Sequence, residues 1–337
     1  MEPTQHLTTN LMTAPHLRIS IMPQRFTVDF DNETIRGLFS DDWNAIVAEV
    51  PQLPALPLNF AQSLERFDQV TTTTDFRKVI TTTSYLASGD DNDKDRYFDS
   101  EWAENAIRQF LLLFEHEDQP LRSKCHENWY SVNIWSPIID GSFLSNPGVI
   151  LVRGEFTCQS SILRRNRRRS EPSLRMSHEF CVMEVATTLR SKPTSKKWLT
   201  DKAKLTRVLR DMLSWLITLA DHDRRVVDKL QVVGILTAGL DMQMSRRCQR
   251  KGYVCLLVRE RLRSIPNDVR QFKELLIFLA RFVPTKLSHD RGLYHGIQQT
   301  IAGAFASALL DELLNDRLTS KRGTVVARLP QPADTPW

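Results

Sequence analysis

The run His178–Val185, HEFCVMEV, constrains this chain more than any other because it is apolar on both of its faces. Side chains alternate along a strand, so Phe180 and Val182 share one face while Cys181, Met183 and Val185 share the other. A strand of that kind belongs in the middle of a sheet covered by helices on two sides. Glu184 falls on the face of Phe180 and Val182, and a carboxylate at that depth is paired, protonated or bound to a metal. The residues that follow, as far as Trp215, read as a basic polar loop and then a long helix that opens with lysines.

The surrounding segments supply the layers such a strand needs. Short amphipathic stretches at Glu33–Phe39, Trp43–Val50, Phe60–Phe67 and Phe76–Leu86, punctuated by Pro51, Pro54 and Pro57, form a small helical prelude over 33–90. A polar leader over 1–32 precedes it, with at most one edge strand around Leu17–Met22. The acidic run Gly89–Lys94 marks the boundary of a core domain over 98–316, and a polar, proline-containing tail occupies 317–337. That run lacks the twelve-position ligand spacing of a calcium loop.

Within the core, Phe98–Glu115 repeats Trp102, Ala106, Phe110 and Leu113 at helical spacing, with Asp99 or Ser100 as its cap. His126–Ile139 brings Trp129, Val132, Trp135 and Ile138 to one face, and Asp140-Gly141 ends it. Val149–Thr157 is a strand pattern that includes Glu155. A helix over Leu199–Asp221 carries the stripe Leu205, Val208, Leu209, Met212 and Leu216, with Lys202, Arg207, Arg210 and Asp211 mostly opposite. Strands follow at Leu230–Leu236, Leu240–Ser245 and Tyr253–Val258, the last two joined by a hairpin turn over Gln249–Gly252, then helices near Asp268–Val283 and Tyr294–Asn315. This order predicts an α/β fold with a central mixed β-sheet flanked by helices.

Composition narrows the class of function. With 41% hydrophobic and 25% charged residues the chain is globular. The first twenty residues show no basic stretch followed by an apolar run, and Met212–Ala220 and Leu275–Ala280 are too short to cross a bilayer, so we expect an intracellular protein without a membrane partner. The five cysteines are scattered without a CxxC pair, which favours reduced thiols over a disulfide framework or zinc site. Residues 1–150 hold 22 acidic and 11 basic side chains, whereas 151–337 hold 18 and 34. A basic half suits a polyanion such as DNA or RNA, and an acidic half either repels it or folds back as a cover. Arg164, Arg165, Arg167, Arg168 and Arg169 concentrate charge in an exposed loop over 159–176. Such a run suits phosphate contact or nuclear import, or is simply solvated; Lys196 adds a further cation for phosphate. No G-x-S-x-G elbow, Gly-rich phosphate loop or Rossmann fingerprint is present, so no nucleotide cofactor is expected.

The blocks WAENAIRQFLLLFEHED, WYSVNIWSPIID, RRNRRR, EFCVMEVA, KKWLTDKAKLTRVLRDM, LQVVGILTAGLDMQ and KGYVCLLVRERL run in order from Trp102 to Leu262. By these blocks the chain resembles a set of uncharacterised proteins from fungi of the Mucoromycota, which is in turn similar to the PD-(D/E)XK nuclease-like fold. The resemblance implies a restriction-endonuclease-like sheet whose adjacent strands hold magnesium (Mg2+) on two or three carboxylates. It also implies a lysine two residues beyond the last carboxylate, stabilising charge at the phosphate. Carried onto this chain, it implies Glu155 and Glu184 as metal ligands, Glu104 as a third, and Lys204 or Lys197 as the charge-stabilising base, with Lys196 another stand-in. Two departures stand out: Ala186 fills the lysine position, and no aspartate occurs between Asp140 and Asp201. Three readings stay open. The chain is a degenerate nuclease-like domain that binds nucleic acid or a protein partner without efficient cleavage, an active magnesium-dependent nuclease using Glu184 and a migrated lysine, or a non-enzymatic interaction protein whose two halves pack together.

Overall fold

A computed structural model of the chain describes residues 27–82, 94–144, 160–161, 179, 181–186, 195–251 and 254–287. Among the described residues six strands form one mixed, open sheet: β1 (Thr27–Asp29), β2 (Cys181–Ala186), β3 (Gln231–Ala238), β4 (Asp241–Lys251), β5 (Val254–Arg259) and β6 (Arg263–Ser264). Hydrogen bonding orders them β1-β5-β4-β3-β2, with β6 also on β4. β1 is parallel to β5 and β2 to β3, while β4 is antiparallel to both β3 and β5. The four strands β1, β5, β3 and β2 therefore point the same way.

The helices in chain order are α1 (Glu33–Leu38), α2 (Trp43–Ala48), α3 (Leu58–Glu65), α4 (Thr73–Thr82), α5 (Lys94–Glu115), α6 (Glu127–Tyr130), α7 (Gly141–Phe143), α8 (Lys196–Leu219), α9 (Arg224–Val227) and α10 (Phe272–Leu287). A π-helical segment, Ser131–Asp140, joins α6 to α7. On one face of the sheet Val233, Ile235, Met242 and Met244 meet Phe110, Trp135, Phe272 and Phe282 from the helical layer. Val28, Cys248 and Leu256 continue that face beneath α1 and α2, where they bury Phe39 and Ile46. On the other face Val232, Leu236 and Leu257 pack against Leu205, Leu209, Leu213 and Leu216 of α8. The expected alternation in β2 is present, with Cys181 and Met183 toward the first layer and Val182 toward α8.

Several boundaries and positions depart from the sequence expectation. Among the described residues β2 is the last strand of the sheet and is only partly buried, whereas β3 is buried at all eight positions. The run QVVGILTA keeps charge off both faces, and Glu184 breaks CVMEVA. The described part of the prelude, residues 33–82, packs into the main body, since Phe60 and Phe76 join the cluster of Phe110 and Phe272, and residues 27–29 of the leader supply β1. α5 starts before Asp99, which lies inside the helix and pairs with Lys286. The helix after His126 runs through Asp140-Gly141, and its i→i+5 bonding widens the turn. The buried positions become Tyr130, Ile134, Trp135, Ile138 and Ile139, and Val132 is exposed. α8 begins at Lys196, so Lys196 and Lys197 form its first turn, and Asp211 is buried with Ser161 Oγ donating to it at 2.9 Å. β4 extends past Ser245 to Lys251. The β3–β4 hairpin closes through Gly239, whose φ of 61° supplies the conformation required at the first central position of a two-residue turn.

The Val149–Thr157 strand, the Gly89–Asp93 part of the acidic run, the arginine-rich stretch, the Tyr294–Asn315 helix and the tail lie outside the described residues. Among the described residues no helix is long and apolar enough to cross a membrane.

Candidate functional site

Glu184 stands in register with Leu236 of β3, so its carboxylate faces α8. Lys204, two turns into α8, forms an ion pair with it through Nζ and Oε1. The pair sits at the rim, with the lysine 60% and the glutamate 21% exposed. Gly234 of β3 sets how closely the helix approaches. A Cβ there would lie 2.9 Å from Leu209 Cδ1 and 3.1 Å from Leu205 Cγ, so only glycine lets the two leucines settle onto the strand. Ser195 fixes where the helix starts, accepting the Trp198 N–H at 3.2 Å.

The outer side of α8 is basic. With 3.6 residues per turn, Lys196, Thr200, Lys204 and Arg207 share one exposed strip about 16 Å long. Lys197 lies beside the strip and pairs at 3.0 Å with Asp201 of its own helix. Among the described residues Lys196 and Arg207 have no acidic partner.

The flank of α8 that faces β1 differs. Arg259, at the end of β5 and 4% exposed, pairs with Asp29, lies 3.5 Å from Asp31, and donates to Thr206 Oγ1 at 3.3 Å. Asp31 also receives Lys202 at 3.1 Å. These groups and Glu184 all lie toward the carboxyl ends of the same-direction strands, the side on which open α/β sheets usually take ligands. They are two separate clusters, because β1 and β2 stand four strand spacings apart, roughly 19 Å.

Of the residues named from sequence, the structure brings Glu184 and Lys204 together. Glu104 is on α5 in the opposite layer, 4% exposed, with Arg66 and Arg108 each 2.6 Å from its carboxylate. The structure therefore does not bring it to Glu184. Glu155 and Arg164, Arg165, Arg167, Arg168 and Arg169 lie outside the described residues. Among the described residues no three His, Cys, Asp or Glu side chains converge where a metal ion would sit. Among the described residues Glu184 already carries an ammonium, whereas magnesium takes several oxygen ligands.

Sequence reasoning missed Arg247. It is 1% exposed on β4 and its Nη2 donates to Thr27 Oγ1 at 2.5 Å, tying β1 to the sheet. Burial lowers its pKa, and Asp211 of α8 lies near enough to oppose that shift. Period-two counting through SRRCQRK would have placed Arg247 on the face of Ser245, opposite Cys248, had the strand been extended past Ser245. Asp31 and Lys202 were equally invisible, as 171 positions separate them.

A cleft of about 840 Å³ opens between the β3–β4 hairpin, β6 and the first turn of α10 and shares no residue with either cluster. Arg261, Arg263, Arg270, Lys273, Asp241 and Glu274 line it, unlike the mostly apolar lining of small-ligand sites. No protein-family model matches the chain, and no curated protein or solved structure matches it either.

Proposed function

We propose that this chain is a nuclease-like α/β domain, related to the PD-(D/E)XK or restriction-endonuclease-like fold, that holds nucleic acid without cutting it efficiently. The observation that carries the reading is the outer strip of α8. Lys196 and Arg207 stand exposed with no acidic partner among the described residues, while the one carboxylate of β2 is neutralised by Lys204. Phosphate binding needs lysine and arginine on one accessible face, and this strip meets that need. Hydrolysis at magnesium needs more carboxylates than Glu184 provides, and Ala186 supplies no ammonium two residues beyond it.

One contact favours the alternative of an active magnesium-dependent nuclease: Lys204 reaches Glu184 from the following helix, as a migrated lysine would. A single assay separates the two readings. Wild type, Glu184→Ala and Lys204→Ala are incubated with duplex and single-stranded DNA and RNA, with and without magnesium, and both binding and cleavage are followed. The proposal predicts salt-sensitive binding and no magnesium-dependent cleavage. Cleavage by wild type that both substitutions abolish would establish the alternative.

A further inference from the structure

Resting on the polyanion-binding reading, we infer that the acidic strap Asp29–Asp31 is a built-in competitor for the cations on the β1 flank of α8 and limits how far a polyanion can spread. The strap begins at the last residue of β1, a three-residue strand whose one strand partner among the described residues is β5. Asp29 and Asp31 lie against Arg259, and Asp31 also holds Lys202. The contact to Lys202, which is 25% exposed, is one a phosphate oxygen would otherwise make, since a carboxylate and a phosphate present the same acceptors to a lysine. The strap is anchored by its own apolar cluster of Val28, Phe39, Ile46, Cys248 and Leu256, separate from the two larger cores, with Phe30 against Trp43 at 4.9 Å between ring centroids. Asp31 itself is 39% exposed, so it can exchange its partner for solvent or for a competing anion. The flank thus holds two cations matched by two carboxylates, beside a strip where two cations are unmatched.

Asp31→Asn tests this with little risk to folding, because the side chain keeps its shape and Asp29 still neutralises Arg259. Binding of a short fluorescent duplex DNA to the full chain is titrated from low to physiological salt. Asp118→Asn serves as the control, adding the same charge in the loop after α5, where the side chain is 90% exposed. The inference predicts several-fold tighter binding for Asp31→Asn than for Asp118→Asn, with a salt slope steeper by about 0.9, the effect of one more neutralised phosphate. Lys202→Gln should change wild-type binding little and remove the gain in the Asp31→Asn background. If wild type binds and Asp31→Asn matches Asp118→Asn, the strap inference is overturned and the binding reading stands. If neither wild type nor Asp31→Asn binds at low salt, the binding reading fails and takes the strap inference with it.

Discussion

A rim ion pair such as Glu184 with Lys204 contributes about 1 kcal/mol or less, because water screens it and two long side chains must be ordered. Glu184→Gln should therefore leave the Tm nearly unchanged while releasing Lys204 toward a polyanion, so affinity for duplex DNA rises. A large fall in Tm would mean that the pair is a structural support instead. Arg247 is the opposite case, since a guanidinium at 1% exposure has no water to fall back on. Arg247→Ala empties a buried site and leaves Thr27 Oγ1 and the nearby Asp211 without it, a loss of roughly 2–4 kcal/mol that denaturant unfolding would register. The face of Glu184 was legible from sequence because a strand has a period of two. Its partner was legible only as one of several lysines, because the phase of α8 depends on the cap at Ser195. The Asp31–Lys202 contact leaves no local trace in the sequence.

Elements follow the same division between local pattern and tertiary context. The apolar stripe of α8 was readable because Leu205, Leu209, Met212 and Leu216 recur at helical spacing. The π segment was not, because a period of 3.6 was assumed where i→i+5 bonding applies, and that puts Ile134 and Ile139 inside and Val132 outside. Gly234 is where β3 and α8 set each other's distance. Gly234→Val should cost about 1–3 kcal/mol through overpacking against Leu205 and Leu209, read as a lower denaturation midpoint. At the head of the 3-10 turn Val269–Gln271 that leads into α10, Asp268 accepts the Arg270 N–H at 3.0 Å and holds the Arg270 and Arg122 guanidiniums. The hydrogen bond from Arg270 is the largest cause that holds its carboxyl well below the usual range. A lowered pKa stabilises the fold above the ordinary value, near 4, and the gain is lost as pH falls through the lowered one. The Tm difference between wild type and Asp268→Asn should thus be constant from about pH 8 to pH 5 and shrink in stronger acid.

For the whole molecule, the α/β class was legible and the sheet order was not. Strand order depends on which edges meet in space, and QVVGILTA and CVMEVA are both apolar enough to suggest a covered strand. Only the fold shows that β3 takes that place and that Thr27–Asp29 closes the other end of the described sheet. The split of charge between the halves was also legible, but not where the halves meet, which includes Asp29 and Asp31 against Arg259 and Lys202, Asp68 against Lys273 and Asp99 against Lys286. The proposal that the outer strip of α8 holds a polyanion is tested most directly by the salt dependence of duplex DNA binding to wild type and to the Lys196→Glu, Arg207→Glu double variant. The account predicts that wild-type affinity falls steeply with salt, and that the double variant binds at least ten-fold more weakly at low salt with a slope shallower by about 1.8. Equal affinity and equal slope for the two proteins would contradict it.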